Sequence, residues 1–160
     1  MPILLAYNFI MRAFENRKGR RLYHIEDEIE VGIALVGSEV KAIRLGRVDM
    51  TGSYAIIVEG EVILKDLYIG NYEASGHFAH DTRRQRRLLL HKEEIKKLTG
   101  KVNEKGYTLI PLKLYFNKKG LVKILLGIAK GKRKIERRED EKERDEEREI
   151  ERFLKKELGH

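Results

Sequence analysis

Apolar positions recur every second residue late in the chain. In Tyr107–Phe116, Ile110, Leu112, Leu114 and Phe116 share one face, as the period of two in a strand requires. A second run, Leu121–Ile128, follows across Asn117-Lys118-Lys119-Gly120, so the two read as a hairpin. Pro111 has no N–H to give to a ladder, which predicts an edge or a bulge there. Upstream, Ser53–Val58 and Val62–Leu67 flank the tight Glu59-Gly60 connection, a second hairpin, and Ile29–Leu35 is a further strand-like run. Two segments switch to the helical period. Ser38 is placed to cap a short helix through Glu39, Val40 and Ile43 to Gly46, a good stop residue. Another runs from about His91 to Thr99 and stops at Gly100, with Ile95, Leu98 and Val102 at helical spacing and Glu93 four residues before Lys97. At least five or six strands with two or three flanking helices predict a mainly β, α+β fold built on a small closed barrel. There is no internal repeat.

The pattern stops at Lys132. From Lys132 to Leu158 there are 11 basic and 11 acidic residues, and the large apolar ones are only Ile135, Ile150, Phe153, Leu154 and Leu158. Such a segment cannot build a core. Asp140 with Arg144, and Glu151 with Lys155, lie four apart with the acid leading. The tail therefore reads as disordered or marginally helical when free, and helical when something holds it. The chain divides into a β-rich domain, 1–131, and a charged tail, 132–160.

Charge sharpens that division. The chain has 34 Lys and Arg against 26 Asp and Glu, a net +8. Because the tail is neutral, the whole excess lies in residues 1–131, which carry 23 basic and 15 acidic side chains. Such a domain favours an anionic partner, since Lys and Arg displace counterions from a phosphate backbone. The basic residues come in bunches: Arg17, Lys18, Arg20 and Arg21; Arg83, Arg84, Arg86 and Arg87; Lys130, Lys132, Arg133 and Lys134. Lys41 and Arg44, three apart on the first helix, add to them. Gly131 lacks a Cβ, so a phosphate can approach the backbone there. Glu30, an acid amid this basic surface, reads on composition alone as a surface residue.

Catalytic chemistry is not expected. Ser38-Glu39-Val40-Lys41 fits S-x-x-K, but the partner motifs S-D-N and K-T-G are missing. Gly127–Lys132 has three residues between its glycines and Arg133 after the Lys, so it is not a phosphate loop. His24, His77, His80, His91 and His160 form no close metal set, and His80-Asp81 reads as a loop hydrogen bond. The acids Glu26, Asp27, Glu28 and Glu30 cluster, with nothing to set one as an acid against another. No Cys is present, so disulfides and thiolate chemistry are excluded. No cofactor, metal or small-molecule substrate is expected. The apolar start, Met1–Met11, lacks the charged lead and cleavage site of a signal peptide and is too short to span a membrane. It reads as a hydrophobic cap or a partner contact.

Several segments resemble the small protein B family. They are Asn16-Arg17-Lys18, Glu30-Val31-Gly32-Ile33-Ala34-Leu35, Gly37-Ser38-Glu39-Val40-Lys41, Ser53-Tyr54, Arg87-Leu88-Leu89-Leu90-His91-Lys92, Lys105-Gly106-Tyr107-Thr108, Pro111-Leu112-Lys113-Leu114-Tyr115 and Gly127-Ile128-Ala129-Lys130-Gly131-Lys132. They keep the family's order over about residues 14–145, and the last three are highly specific. The resemblance implies a closed oligonucleotide-binding-type β-barrel. It implies that the barrel grips the transfer-RNA-like domain of transfer-messenger RNA (tmRNA), one copy per RNA, in the cytoplasm and away from any membrane. It assigns Asn16, Glu30, Leu89, Lys123 and Gly131 to the RNA side, which for Glu30 outweighs the bland reading. Leu89 either contacts RNA or holds the barrel together. The tail is implied to enter the empty messenger channel of a stalled ribosome, at the small-subunit decoding centre, and to become helical there. Rescue of the ribosome and tagging of the nascent peptide follow.

The family's Asp-Lys-Arg near the tail's start is Glu136-Arg137-Arg138 here, and the aromatic or His before it is Ile135. Thr82 in His80-Asp81-Thr82-Arg83 and Asn71-Tyr72 stand where the family usually or often has Pro, and the apolar start replaces a Lys-rich one. The competing reading is a generic single-stranded RNA-binding barrel without ribosome work. It predicts that removing Lys132 onward leaves all function intact. Against it, stacking platforms are few, with 7 Tyr, 5 Phe and no Trp.

Overall fold

The computed structural model describes residues 13–72, 79–104 and 106–159. The apolar start Met1–Met11, and His77, Lys105 and His160, lie outside the described residues, as do the side chains of Lys134 and Ile135. The strands are β1 (Ala13–Glu15), β2 (Tyr23–Ile33), β3 (Val48–Asp49), β4 (Tyr54–Val58), β5 (Glu61–Lys65), β6 (Tyr68–Ile69), β7 (Arg86–Leu89), β8 (Tyr107–Phe116) and β9 (Val122–Gly131). The helices are α1 (Arg17–Leu22), α2 (Gly37–Arg44), α3 (Lys92–Val102) and α4 (Lys134–Leu158).

Both expected hairpins form, each from local turn chemistry. At the β8–β9 turn the Asn117 Oδ1 accepts from the backbone N–H groups of Lys119 (3.0 Å) and Leu121 (2.9 Å), and Gly120 takes a φ of 78°. At the β4–β5 turn Glu59 and Gly60 have φ of 50° and 76°, the paired left-handed geometry that matches strand twist. Pro111 sits at a bulge in β8, where the register slips between Pro111 and Lys113. A one-residue slip swaps the faces. Leu109 therefore joins Leu114 and Phe116 in the main core, while Ile110 and Leu112 pack with Ala129 in a second cluster. This corrects the single face expected for Ile110, Leu112, Leu114 and Phe116. Gly127 lies opposite Ile110, and a Cβ there would come within 2.7 Å of Leu112 Cδ1, so the two strands need glycine to approach so closely.

The large sheet has the order β1-β8-β4-β5-β7-β2-β9, and β9 pairs again with β8. A two-stranded β3–β6 ladder accompanies it. The result is a mainly β structure with flanking helices. Val31, Leu64, Ile124 and Leu126 lie in its core together with Ala42 and Ile43 from α2 and Leu98 from α3.

Two helix boundaries differ from expectation. α2 begins at Gly37, so Ser38 is inside it and does not cap it; its hydroxyl meets His80 Nδ1 at 2.9 Å. The cap is instead the Glu39 carboxylate, which accepts from the Val36 N–H at 3.1 Å. The other ring nitrogen of His80 meets the Ile69 carbonyl at 2.9 Å, so the loop hydrogen bond expected of His80 is made. α3 runs through Gly100 to Val102 instead of stopping at the glycine. Leu98 and Val102 pack on the core, and that burial exceeds the ~1 kcal/mol that a mid-helix glycine costs. α4 is one continuous helix of 25 residues, and every side chain from Asp145 to Leu158 is exposed.

Candidate nucleic-acid interface

The sequence-predicted residues gather at two ends of β2. At the first, Tyr23 pairs with Gly131 and His24 with Lys130, while Lys130 also pairs with Tyr107 of β8. α1 packs against β2, β8 and the start of α4, which brings Arg17 and Lys18 to the same end. Asn16 fixes that helix: its Oδ1 accepts from the Gly19 N–H at 3.0 Å and its Nδ2 donates to the Pro111 carbonyl at 2.8 Å. Asn16 is only 5% exposed, so what it presents outward is the helix it caps, with Arg17, Lys18 and Arg20 exposed beside it. Gly131 is exposed, and a Cβ there would meet nothing within 4 Å. Packing therefore does not require glycine at that position.

The tail leaves from this end and is tied back to it. The Lys132 N–H donates to the Leu22 carbonyl at 3.0 Å, and its ammonium pairs with Asp140. His24 lies 3.4 Å from Glu136, which also accepts from the Arg133 N–H at 2.9 Å. The hydrogen bond from Lys132 holds the Asp140 carboxyl below its usual range, and the Arg133 N–H does the same for Glu136. Arg137 and Arg138 point into solvent.

At the second end, roughly 30 Å along β2, Gly32 pairs with Leu89 on one side and Lys123 on the other. Leu89 is 47% exposed and, with Leu35, Val40, Leu121 and Lys123, lines a cleft of about 240 Å3 over Gly32. It is thus a surface side chain on a strand and not one buried inside the sheet. Glu30 is exposed nearby and accepts a hydrogen bond from the Tyr115 hydroxyl. Burial, then that bond, push the Tyr115 hydroxyl up to about 12. The Arg44 guanidinium lies 5.8 Å from the Phe116 ring and the Lys41 ammonium 5.2 Å from that of Tyr72.

The Arg83–Arg87 bunch does not stay together. Arg86 is wholly buried and gives its Nε to Glu39, itself wholly buried, with Nη1 on the Leu67 carbonyl at 2.7 Å. This corrects its reading as a phosphate contact. Arg84 is half-buried and turns one Nη to the other oxygen of Glu39. Arg87 pairs with Glu61 at 3.2 Å on the surface, and Arg83 lies 5.6 Å from the Tyr68 ring. Burial alone would raise the Glu39 carboxyl; hydrogen bonds from Arg84, the Val36 N–H and Arg86, with the Arg86 charge, outweigh it and hold the group below its usual range. Reading motifs missed Glu39 because the acid meets its arginines from 45 and 47 residues away.

Among the described residues, no group of three His, Cys, Asp or Glu side chains is placed to hold a metal ion, and no helix is long and apolar enough to cross a membrane.

The chain is similar to known proteins along most of its length. The family model described as SmpB protein matches residues 13–156. An SsrA-binding protein of Thermus thermophilus is 53% identical over 119 residues, covering 74% of this chain and 83% of its own. One of Moorella thermoacetica is 54% identical, covering 74% and 77%. A solved chain from work described as "tmRNA-SmpB: a journey to the center of the bacterial ribosome" superposes with a TM-score of 0.66 at 52% identity, covering 76% of this chain and 85% of that one. With a family match across nearly all the described residues and half of all aligned positions identical to these relatives, the chain belongs to the SmpB protein family.

Proposed function

We propose that this chain binds tmRNA through its transfer-RNA-like domain and carries it to stalled ribosomes, acting by binding and not by catalysis. The observation that carries this reading is the identity of about half the aligned residues to proteins named SsrA-binding, over 119 residues or 74% of the chain. The pairing circuit of β8, β4, β5, β7, β2 and β9 back to β8 supports reading the sheet as a closed oligonucleotide-binding-type barrel. In this reading residues 1–131 are the RNA-binding domain and 132–160 the tail that occupies the empty messenger channel and decoding site.

The residues assigned to RNA are Asn16, Arg17, Lys18, Glu30, Lys41, Arg44, Arg84, Leu89, Lys123, Lys130, Gly131 and Lys132. Asn16 acts by holding α1, and Arg84 acts through its half-exposed guanidinium, whose Nη2 is on Glu39 and whose Nη1 donates to the Gln85 carbonyl at 3.4 Å. Glu136, Arg137 and Arg138 are assigned to the ribosome. Occupation of the decoding site leads to rescue and to tagging of the nascent peptide, and the work is cytoplasmic.

The test is a gel-shift titration at fixed salt, with labelled tmRNA challenged by excess ordinary transfer RNA. The full chain and a Glu136→Ala/Arg137→Ala/Arg138→Ala variant should bind tmRNA equally and selectively, and only the wild type should support peptide tagging on stalled ribosomes. Equal competition by ordinary transfer RNA would sink the tmRNA assignment. Full tagging by the triple variant would sink the assignment of these three residues to the ribosome, and binding of tmRNA with no tagging by the wild type would favour a plain RNA-binding barrel.

A further inference from the structure

At the end of the sheet where β8 starts and β9 finishes, one tyrosine gathers two lysines from distant parts of the chain. The Lys130 ammonium lies 5.0 Å from the Tyr107 ring centroid, and that of Lys101, in the last turn of α3, lies 5.9 Å from the same centroid. Such contacts orient an ammonium without neutralising it. Gly106, at a φ of 90°, leaves room for the Lys130 stem, whose Cε lies 3.4 Å from where a Cβ would stand. Of the acids near the ring, Glu26 accepts from the Tyr107 hydroxyl at 2.6 Å, and Glu104 acts on that hydroxyl through its charge alone. Among the described residues neither Lys101 nor Lys130 has a carboxylate within ion-pairing distance. The fold thus holds two exposed cations on one aromatic ring and keeps the adjacent carboxylate turned to the hydroxyl.

We infer that Lys101, Lys130 and Tyr107 form a phosphodiester-binding site for an RNA strand, with Tyr107 as the positioning residue that aims both lysines and holds Glu26 off them. The site rests on the RNA-binding reading above and extends it to α3. Both ammonium groups lie over the ring, at 5.0 and 5.9 Å from its centroid, where they compete with a stacking base, so the ligand is the backbone phosphate. A phosphate of tmRNA and one of ribosomal RNA share this chemistry.

The experiment uses the full chain in two arms, labelled tmRNA by gel shift and ribosomes lacking tmRNA by co-sedimentation, each at several salt concentrations. In the arm that holds the ligand, Lys101→Ala should weaken binding and lower the log–log salt slope by roughly 0.7, one phosphate contact on a single strand. Tyr107→Phe keeps the ring and frees Glu26 to compete for the lysines, so it should weaken binding in the same arm. Tyr107→Phe combined with Glu26→Gln should restore it, a rescue that a purely structural tyrosine would not give. A lowered slope for tmRNA or for the ribosome supports the site and names its source. Unchanged slopes in both arms, or no rescue by Glu26→Gln, would overturn it, while selective tmRNA binding by the wild type would leave the proposed function standing.

Discussion

Glu39 shows what one buried residue can carry. It receives two guanidinium groups and a backbone N–H, and nothing near it in the chain announces this. Glu39→Ala would leave Arg86 buried without its charge partner, and we expect a loss of about 3–5 kcal/mol of stability by chemical denaturation. Its carboxyl is held below the unfolded value of 4.5. The stabilisation is therefore full above that pH and lost as the pH falls through the lower, folded value. Denaturant titrations between neutral pH and pH 3 should show the wild type losing stability on that acid side and Glu39→Ala losing less. Gly131 behaves in the opposite way. A side chain there meets open space, so Gly131→Glu should leave the melting temperature within a degree or two. If Gly131 faces RNA, the same change adds a negative charge against phosphate and should weaken tmRNA binding at least ten-fold by gel shift.

Among the elements, the division of β8 between two faces and the long helix α4 differ most from what local pattern suggests. The bulge is compatible with Pro111, whose missing N–H would break a regular ladder, and Gly127 lets β9 close against it. Gly127→Ala would press on Leu112 in a filled cluster and should cost about 1–3 kcal/mol by thermal melting. α4 has no buried face over its last four turns, yet Ile150, Phe153, Leu154 and Leu158 lie along one side of it. Its junction is firmer, with Lys132 on Leu22 and Asp140 and with His24 near Glu136. Glu146→Pro should cost the helix about 3 kcal/mol. Circular dichroism should report lost helicity while the unfolding midpoint of the sheet stays where it was.

For the whole molecule, what matters is where the cations end up. The strands carry Lys130, Gly131 and α1 to one end of β2, and Leu89, Lys123 and Glu30 to the other. An RNA that touches both ends must span roughly 30 Å. Lys123→Ala and Lys130→Ala are then far enough apart to act independently. Their effects on log affinity for tmRNA, measured at one salt, should add in the double variant. Strong non-additivity would mean that a single end does the binding.

Much of this was written in local pattern. Alternation and turn residues predicted both hairpins, and Pro111 an edge or a bulge, because those features depend on neighbours two to five residues apart. The change at Lys132 was legible because a segment with five large apolar residues cannot fold on itself, but local pattern left that segment disordered or marginally helical, where the structure has one helix from Lys134. The motifs around Lys105–Tyr107, Pro111–Tyr115 and Gly127–Lys132 pointed to the family, which the comparisons bear out. The tertiary structure alone decided which charges are free. Arg86 looked like Arg83 and Arg87 in the sequence, but packing turned it inward onto Glu39, since a buried acid needs a charged partner wherever the chain supplies one. Likewise, Lys101 and Lys130, 29 residues apart, became a pair only when the end of α3 was laid beside the β8–β9 hairpin at Tyr107, a placement that no local pattern encodes.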